Sequence, residues 1–249
     1  MLILAVETST FTGSVALAEA SLPAGPEGFP APLRIIGETT LNLSATHSSR
    51  LMPAIDRLLR ETSVPIQAVQ GIAVGIGPGS FTGLRIAVST VKGLAFSLRV
   101  PVAGVPTLDA LAHNLPYAST QVCPVIDARK KEVYAALYRG NAEGGGLERK
   151  GEYWVLSPED LCSRISEKTL MVGNGAEAYG EIFREKLGSR ALFAPPEFSF
   201  PRASCVARLS LPAFQRGPTL DLLTFGPLYV RRSEAEIHWE RKEGGKGLG

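Results

Sequence analysis

The sequence predicts an α/β protein made of two related lobes. Two observations lead to this prediction: apolar strand patterns pair as hairpins and then alternate with amphipathic helix patterns, and this order occurs twice in the 249 residues. A chain of this length has ample core to fold unaided. We assign residues 1–103 to a first lobe, 104–216 to a second lobe and 241–249 to a disordered tail. The segment of about 217–240 could pack back on the first lobe.

The composition is that of an ordinary soluble globular protein, with 45% apolar and 20% charged residues. Lys and Arg total 26 against 24 Asp and Glu, and this net charge of +2 argues against a dedicated nucleic-acid binder held by phosphate contacts. Cys123, Cys162 and Cys205 are far apart and odd in number, so we expect a reducing compartment. There is no apolar run of ~20 residues and no basic segment before the first strand. The sequence therefore predicts a cytoplasmic protein without membrane contact.

In the first lobe, LILAVETS at the amino terminus reads as a buried strand, and residues 13–20 as its hairpin partner after a turn at Thr12–Gly13. A third strand is expected over 34–42. A helix follows over 46–62, because four leucines and isoleucines repeat there at helical spacing: Leu51, Ile55, Leu58 and Leu59. The run GIAVGI predicts a buried parallel strand, and a second helix is expected over 82–98.

The second lobe repeats this style. VCPVIDARKKEVYAALYRG reads as two strands joined by a charged turn. Ser157 and Pro158 are placed to cap and begin a helix. Residues 169–188 read as a strand, a glycine turn and a helix, and a last helix is expected over 203–216.

The stretch GIGPGSFTGLR between the predicted strand and helix invites a phosphate-binding interpretation. A P-loop requires lysine after its last glycine, but Gly83 is followed by Leu84 and Arg85. A dinucleotide fingerprint requires GxGxxG and an acidic residue ~20 residues later, whereas Gly77, Gly79 and Gly83 are spaced GxGxxxG and residues 99–104 contain no Asp or Glu. Two interpretations remain: the loop offers backbone N–H groups to an anion, or its glycines allow a tight turn and close packing. The spacing favours the second.

The helix after this loop has two distinct faces. One is an apolar stripe expected to lie on the sheet, made of Leu84, Val88, Val91, Ala95 and Leu98. The neighbouring face carries small or modest side chains, namely Ile86, Ser89, Thr90, Gly93 and Ser97. A glycine inside a helix costs ~1 kcal/mol against alanine, so its presence suggests that another helix lies close. That helix is either the 46–62 helix of the same lobe or one of another protein, and both can hold.

The stretches LILAVETST, GPGSFTGLRIAVSTVKGLAF, VPVAGVPTLDALA, VIDARKKEVYAALY and PLYVRR occur in this order along nearly the whole chain. With these stretches the chain closely resembles the bacterial TsaB (YeaZ) family. The resemblance implies the two-lobed actin-like and Hsp70-like ATPase (ASKHA) fold, with a mixed sheet and flanking helices in each lobe. It also implies a role in forming threonylcarbamoyladenosine (t6A) at adenosine 37 of tRNAs that read codons beginning with A.

The same resemblance implies a non-catalytic partner subunit of the TsaD transferase, working with the ATPase TsaE and reaching tRNA through the complex. TsaB proteins pair with TsaD through helices of the first lobe, and the same helices could form a homodimer when the partner is absent. Transferred to this chain, the expected interface residues are His47, Leu51, Ile55, Arg85, Ile86, Ser89, Thr90, Gly93 and Ser97.

Catalytic relatives hold a nucleotide between the lobes. The residues that could be vestiges of that site are Glu7, Thr8, Ser9, Gly77, Gly79, Gly173 and Gly175. Where TsaD-like proteins have a Ser-Gly-Gly-type phosphate turn, this chain reads IDARKK, and Asp127 and Arg129 would crowd a phosphate. We therefore expect no catalytic residue and no cofactor. The alternative is an ATP-dependent phosphotransferase or ATPase of the actin-like fold.

No metal is expected either. TsaD-like proteins carry a HxxxH pair on the helix after the first lobe, but here Asp109 stands four residues before His113, a pair more typical of a helix surface than of a metal site. His238 lies in no nucleophile–base motif. The basic residues 129–131 are most simply a solvated turn, with tRNA contact as the minor alternative there and at 231–232.

Overall fold

The computed structural model describes residues 1–21, 32–42, 47–140, 146–216, 220–228 and 230. Within them the strands form two five-stranded mixed sheets, each flanked by helices. None of the helices in the described ranges combines the length and apolar character needed to cross a bilayer. The predicted tail over 241–249 lies outside the described residues, as do residues 231–232 and His238.

The first sheet has the strand order β3-β2-β1-β4-β5. Its strands are β1 (Leu2–Glu7), β2 (Thr12–Ala20), β3 (Leu33–Asn42), β4 (Gly71–Gly77) and β5 (Val102–Pro106). The first three are antiparallel, and β1, β4 and β5 are parallel. The predicted turn at Thr12–Gly13 is wrong by a few residues, because Thr12 already pairs with Asn42 of β3 and the turn lies between Glu7 and Thr12.

The helices of the first half are α1 (His47–Glu61), α2 (Phe81–Leu98) and α3 (Thr107–Ala112). On β1, Leu4 and Val6 pack with α1 and α2, whereas Ile3 and Ala5 face the other way. This alternation, with every one of these side chains buried, explains why the strand reads as a continuous apolar run.

The second sheet has the order β10-β9-β6-β7-β8. Its strands are β6 (Gln121–Arg129), β7 (Glu132–Gly140), β8 (Leu147–Leu156), β9 (Thr169–Val172) and β10 (Ala191–Phe193). The helices of this half are α4 (Pro158–Arg164), α5 (Asn174–Ala178), α6 (Gly180–Leu187) and α7 (Ala203–Arg216). The Ser157 cap is confirmed, since its side chain accepts from the backbone N–H of Asp160 at 3.0 Å. The single helix expected after β9 is two helices, because Tyr179 between them is not helical.

The two sheets are built alike: three antiparallel strands are followed by two parallel ones in the same order. This confirms the prediction of two related lobes, each a mixed sheet with flanking helices, and the actin-like fold that the family resemblance implied. The last helix of each half covers the sheet of the other half. Leu108 and Leu111 of α3 pack on the second sheet, and Val206 and Leu211 of α7 pack on the first.

The assignment of 203–216 to the second lobe therefore needs correction, because α7 belongs to the core of the first. Residues 220–228, which we call the C-terminal strap, also lie on the first lobe. The backbone N–H of Leu220 donates to Val102 O at 2.9 Å, and that of Leu228 to Ile76 O at 2.7 Å. Phe225 of the strap is 8% exposed and belongs to the core under α1 and α2.

Candidate functional site

The first hairpin turn begins with a buried acid. The side chain of Glu7 is fully buried, and its Oε1 accepts from the backbone N–H of Ser9 at 2.6 Å. Among the described residues, its Oε2 has no partner within hydrogen-bonding geometry, and neither has the buried hydroxyl of Ser9. Burial raises the pKa of Glu7 to about 7, against the opposing effect of the nearby polar groups of Ser9 and Thr8. A Cβ added to Gly75 on the adjacent strand would lie 1.9 Å from Oε2, so the pocket around this acid is already filled.

The glycine-rich loop lies directly on this turn. The backbone N–H of Ser80 donates to Ser9 O at 2.6 Å, and the Thr8 hydroxyl donates to Gly83 O at 2.8 Å. A Cβ on Gly79 would lie 2.3 Å from Ser9 O. Gly77 has φ +108°, a conformation that favours glycine. These contacts are those of close packing, the second of the two interpretations of the loop.

The corresponding turn of the second lobe packs in the same way. Gly173 has φ +115°, and a Cβ there would lie 2.3 Å from Val125 O. A Cβ on Gly175 would lie 2.8 Å from Val125 Cγ1. The side-chain oxygen of Asn174 accepts from the backbone N–H of Asp127 at 3.2 Å. Both glycines bring α5 against the end of β6.

The two hairpin turns meet across the cleft between the lobes. The Arg129 guanidinium lies 5.1 Å from the centroid of the Phe11 ring. Asp127 fixes Arg129 from the other side: it accepts from the Arg129 backbone N–H at 2.9 Å, and the two side chains approach to 3.5 Å. The expectation that Asp127 and Arg129 form a polar turn agrees with this arrangement. Their contact with Phe11 could not have been read from the sequence.

Arg129, Lys130 and Lys131 all have positive φ values, of 63°, 54° and 60°. Lys130 and Lys131 form a two-residue hairpin turn in which positive φ at both positions usually selects Asn and Gly. Side chains with a Cβ adopt this conformation at a cost of ~1–2 kcal/mol each. The turn is therefore strained locally and is held by the ladder between β6 and β7.

Asp109 and His113 are neither a metal pair nor a surface pair. The Asp109 carboxylate accepts from the hydroxyls of Tyr138 at 2.5 Å and Tyr153 at 2.8 Å. The Nδ1 atom of His113 lies 2.8 Å from the backbone oxygen of Asp109, and burial lowers the pKa of His113. Burial beside this acid raises the pKa of both tyrosines. In the parts of the chain that the structure describes, no three His, Cys, Asp or Glu side chains come together as metal ligands would.

The outer face of α2 is the second candidate site. Its inner stripe is confirmed: Leu84, Val88, Val91 and Ala95 are buried, and Leu98 is half-buried against the same core. The outer positions are exposed, and we call this set the α2 face: Phe81, Thr82, Arg85, Ser89, Gly93, Phe96 and Ser97. Phe81 is 49% and Phe96 79% exposed, and the Arg85 guanidinium lies over the Phe81 ring at 5.3 Å. Ile86 and Thr90 are half-buried and line a shallow groove along this face.

Gly93 lies in the middle of the α2 face. Among the described residues, no atom lies within 4 Å of a Cβ added to it. The helix α1 packs beside α2, but its described side chains do not come within 4 Å of that position. Among the described residues, the first explanation for Gly93, close contact with the 46–62 helix, is therefore wrong.

The remaining predicted interface residues lie on α1, and none of them is seen on an exposed surface. Leu51 and Ile55 are only 5% and 1% exposed and belong to the core of the first lobe, so they hold α1 in place and cannot reach a partner. The side chain of His47 lies outside the described residues. Phe81 and Phe96 were not predicted, although a phenylalanine three residues from Gly93 on the same helix face is a signal that the sequence contains.

Two lobes with one repeated topology, joined where Arg129 contacts Phe11, define a two-lobed actin-like protein. Residues 35–239 match the family described as TsaD: tRNA N6-adenosine threonylcarbamoyltransferase. The "tRNA threonylcarbamoyladenosine biosynthesis protein TsaB" of Bacillus subtilis is 31% identical, over 96% of this chain and 98% of that protein. The protein of the same name from Escherichia coli is 30% identical, over 80% and 85%.

Solved structures agree with these relatives. The structure described as YeaZ from Pseudomonas aeruginosa is 31% identical, covers 92% of this chain and 99% of its own, and superposes with a TM-score of 0.72. A second structure, of an uncharacterized protein with similarity to peptidase YEAZ from Pseudomonas aeruginosa, is 32% identical with the same coverage and a TM-score of 0.73. This chain belongs to the TsaB (YeaZ) family.

Proposed function

We propose that this protein serves tRNA threonylcarbamoyladenosine biosynthesis as a non-catalytic subunit, which docks on a TsaD-type transferase through the α2 face. The relatives that carry this function in their names cover nearly the whole chain. The main support for this docking surface is the position of Gly93 in the middle of the α2 face. This glycine weakens the middle of a helix by ~1 kcal/mol although the described residues leave the space above it empty. That space is useful to a second protein, whose backbone can approach closely where a side chain is absent.

The rest of the α2 face suits a docking surface. Two exposed phenylalanines lie at its ends, with small polar side chains between them. Aromatic anchors around a low central region are typical of protein interfaces. In the isolated protein the same face can support self-association, which the transferase would displace.

The packing of the turns between the two lobes supports a non-catalytic role. The glycine turns are packed against the chain's own backbone, the buried acid is sealed beneath Gly75, and Arg129 rests on Phe11 between the two hairpins. In a phosphotransferase of this fold these positions would have to receive phosphate groups. The protein works in the cytoplasm, with the ATPase TsaE as a further member of the complex and with tRNA bound by the assembly.

The test is tRNA threonylcarbamoylation in a mixture of the adenylate-forming enzyme, TsaD, TsaE and tRNA, with and without this protein. We expect product only when the protein is present, and no ATP turnover by the protein alone. Full product without it would refute the supporting role. Micromolar binding of Mg-ATP by the isolated chain would refute the non-catalytic role and favour an ATPase instead.

A further inference from the structure

In the described part of the chain, the C-terminal strap carries a leucine that lies outside the core. Leu223 is 90% exposed, whereas Phe225 two residues later is 8% exposed. The strap crosses the flank of α2, where the ammonium group of Lys92 lies 4.7 Å from the centroid of the Phe225 ring. Lys92 lies three residues after Ser89 and four before Phe96, so it is a neighbour of both on the helix surface. The strap therefore borders the edge of the α2 face.

The turn that carries Leu223 is held at several points. The Asp221 carboxylate accepts from the Leu223 backbone N–H at 3.0 Å and from the Thr224 hydroxyl at 2.8 Å. The backbone N–H of Phe225 donates to Asp221 O at 2.9 Å, and the strap is tied at both ends to the first sheet. These bonds hold the pKa of Asp221 below its usual range.

An apolar side chain on a turn fixed in this way is a good anchor for a protein partner. Its burial removes apolar surface from water, and little conformational freedom is lost because the backbone is already ordered. The side chain has no such role in the isolated chain, since the described residues leave nine-tenths of it in solvent.

We propose that the strap turn, with Leu223 at its tip, is a second anchor of the surface that binds the transferase, and that Leu223 enters an apolar pocket of that protein. This inference rests on the proposed function, because the strap turn continues the α2 face assigned above to the transferase. The interface expected from the sequence lies on helices of the first lobe only, and the strap adds a non-helical element to it.

The test compares Leu223→Ser with Tyr117→Ser. Tyr117 is a matched control, since it is 89% exposed and lies in the second lobe away from α2. Titration calorimetry would give the affinity of each full-length protein for purified TsaD, thermal unfolding would report the fold, and sedimentation would report self-association. We expect roughly tenfold weaker binding for Leu223→Ser, as for loss of a buried leucine, with unchanged unfolding and with wild-type affinity for Tyr117→Ser. Leu223→Met should retain the affinity.

Wild-type affinity in Leu223→Ser would overturn the inference, as would a variant that changes self-association but not transferase binding. Failure of the wild-type protein itself to bind TsaD would instead refute the proposed function, and this contact with it. The wild-type titration therefore separates the two failures.

Discussion

The two lobes share a strand order but differ in what their first hairpin turns contain. In the first lobe the turn after β1 begins with buried side chains. They are either uncharged or, like the wholly buried Glu7, can be neutralised by protonation. In the second lobe the turn after β6 is two residues long, strained and cationic. The glycine loops that follow in each lobe, by contrast, do the same work, because Gly79 and Gly173 both admit a backbone oxygen at a distance that no Cβ could tolerate. Two lobes of the same fold can thus keep the same close packing at their glycine loops while the residues of their hairpin turns differ in charge and burial.

The largest effect is expected from the glycine loops. Gly173→Ala combines a positive φ with a clash against Val125 O and should lower the free energy of unfolding by about 2–5 kcal/mol. Gly79→Ala has a clash with Ser9 O but no positive φ, and it should lower the free energy of unfolding by about 1–3 kcal/mol. Urea denaturation would measure both. Equal stability of either variant and wild type would break the claim that the loops of both lobes serve close packing.

Glu7 should make the stability of the protein depend on pH. Its pKa rises from 4.5 to about 7 on folding, so between these values the folded protein holds a proton that the unfolded chain has released. The free energy of unfolding then falls as pH rises from about 4.5 to about 7, by about 3 kcal/mol, and is flat above. In Glu7→Gln this fall should vanish, because the amide keeps one neutral form, and the only slope left below about pH 6.5 should be the rise with pH that the lowered pKa of His113 gives. A fall with rising pH that persists in the variant would assign it to another group.

Substitutions that relieve the strain in the second hairpin turn should instead raise the stability of the protein. The double substitution Lys130→Asn with Lys131→Gly places the residues preferred at positive φ on this turn and should stabilise the protein by about 1–2 kcal/mol. Differential scanning calorimetry would detect the higher Tm. A control that keeps the strain, Lys130→Arg with Lys131→Arg, should melt with the wild type. A lower Tm for the first variant would mean that the lysine side chains themselves stabilise the turn.

The smallest effect is expected where the turns touch. Phe11→Leu keeps an apolar side chain but removes the aromatic face under Arg129, and should cost about 0.5–1 kcal/mol. A double-mutant cycle with Arg129→Gln isolates this contact, since Phe11→Leu should have no further effect once the guanidinium is absent. Additive losses in the double variant would show that the two turns do not interact energetically.

Regular elements with clear periodicity could be predicted from the sequence, because burial itself imposes the pattern. The stripe of α2 and the continuous apolar run of β1 are examples. The roles of Gly79 and Gly173 could not, since spacing does not reveal which backbone oxygen a glycine faces. The same holds for Asp109, whose two tyrosine partners come from β7 and β8, and for α7, whose apolar face fits either sheet until the chain path is known. Leu51 and Ile55 were predicted both as a core stripe and as an interface, and burial leaves only the first.

The central claim is that the α2 face binds the transferase, and Gly93→Glu tests it most directly. The structure leaves room for the new side chain on the isolated protein, so its fold should be retained, and Gly93→Ala should even gain ~1 kcal/mol of stability. Ser163→Glu, which adds the same charge to an exposed position of α4 in the second lobe, is the control. In calorimetric titration against TsaD we expect Gly93→Glu to bind roughly a hundredfold more weakly than wild type, because a charge would be buried without a partner, and Ser163→Glu to bind as wild type. A folded Gly93→Glu protein with wild-type affinity would contradict the account.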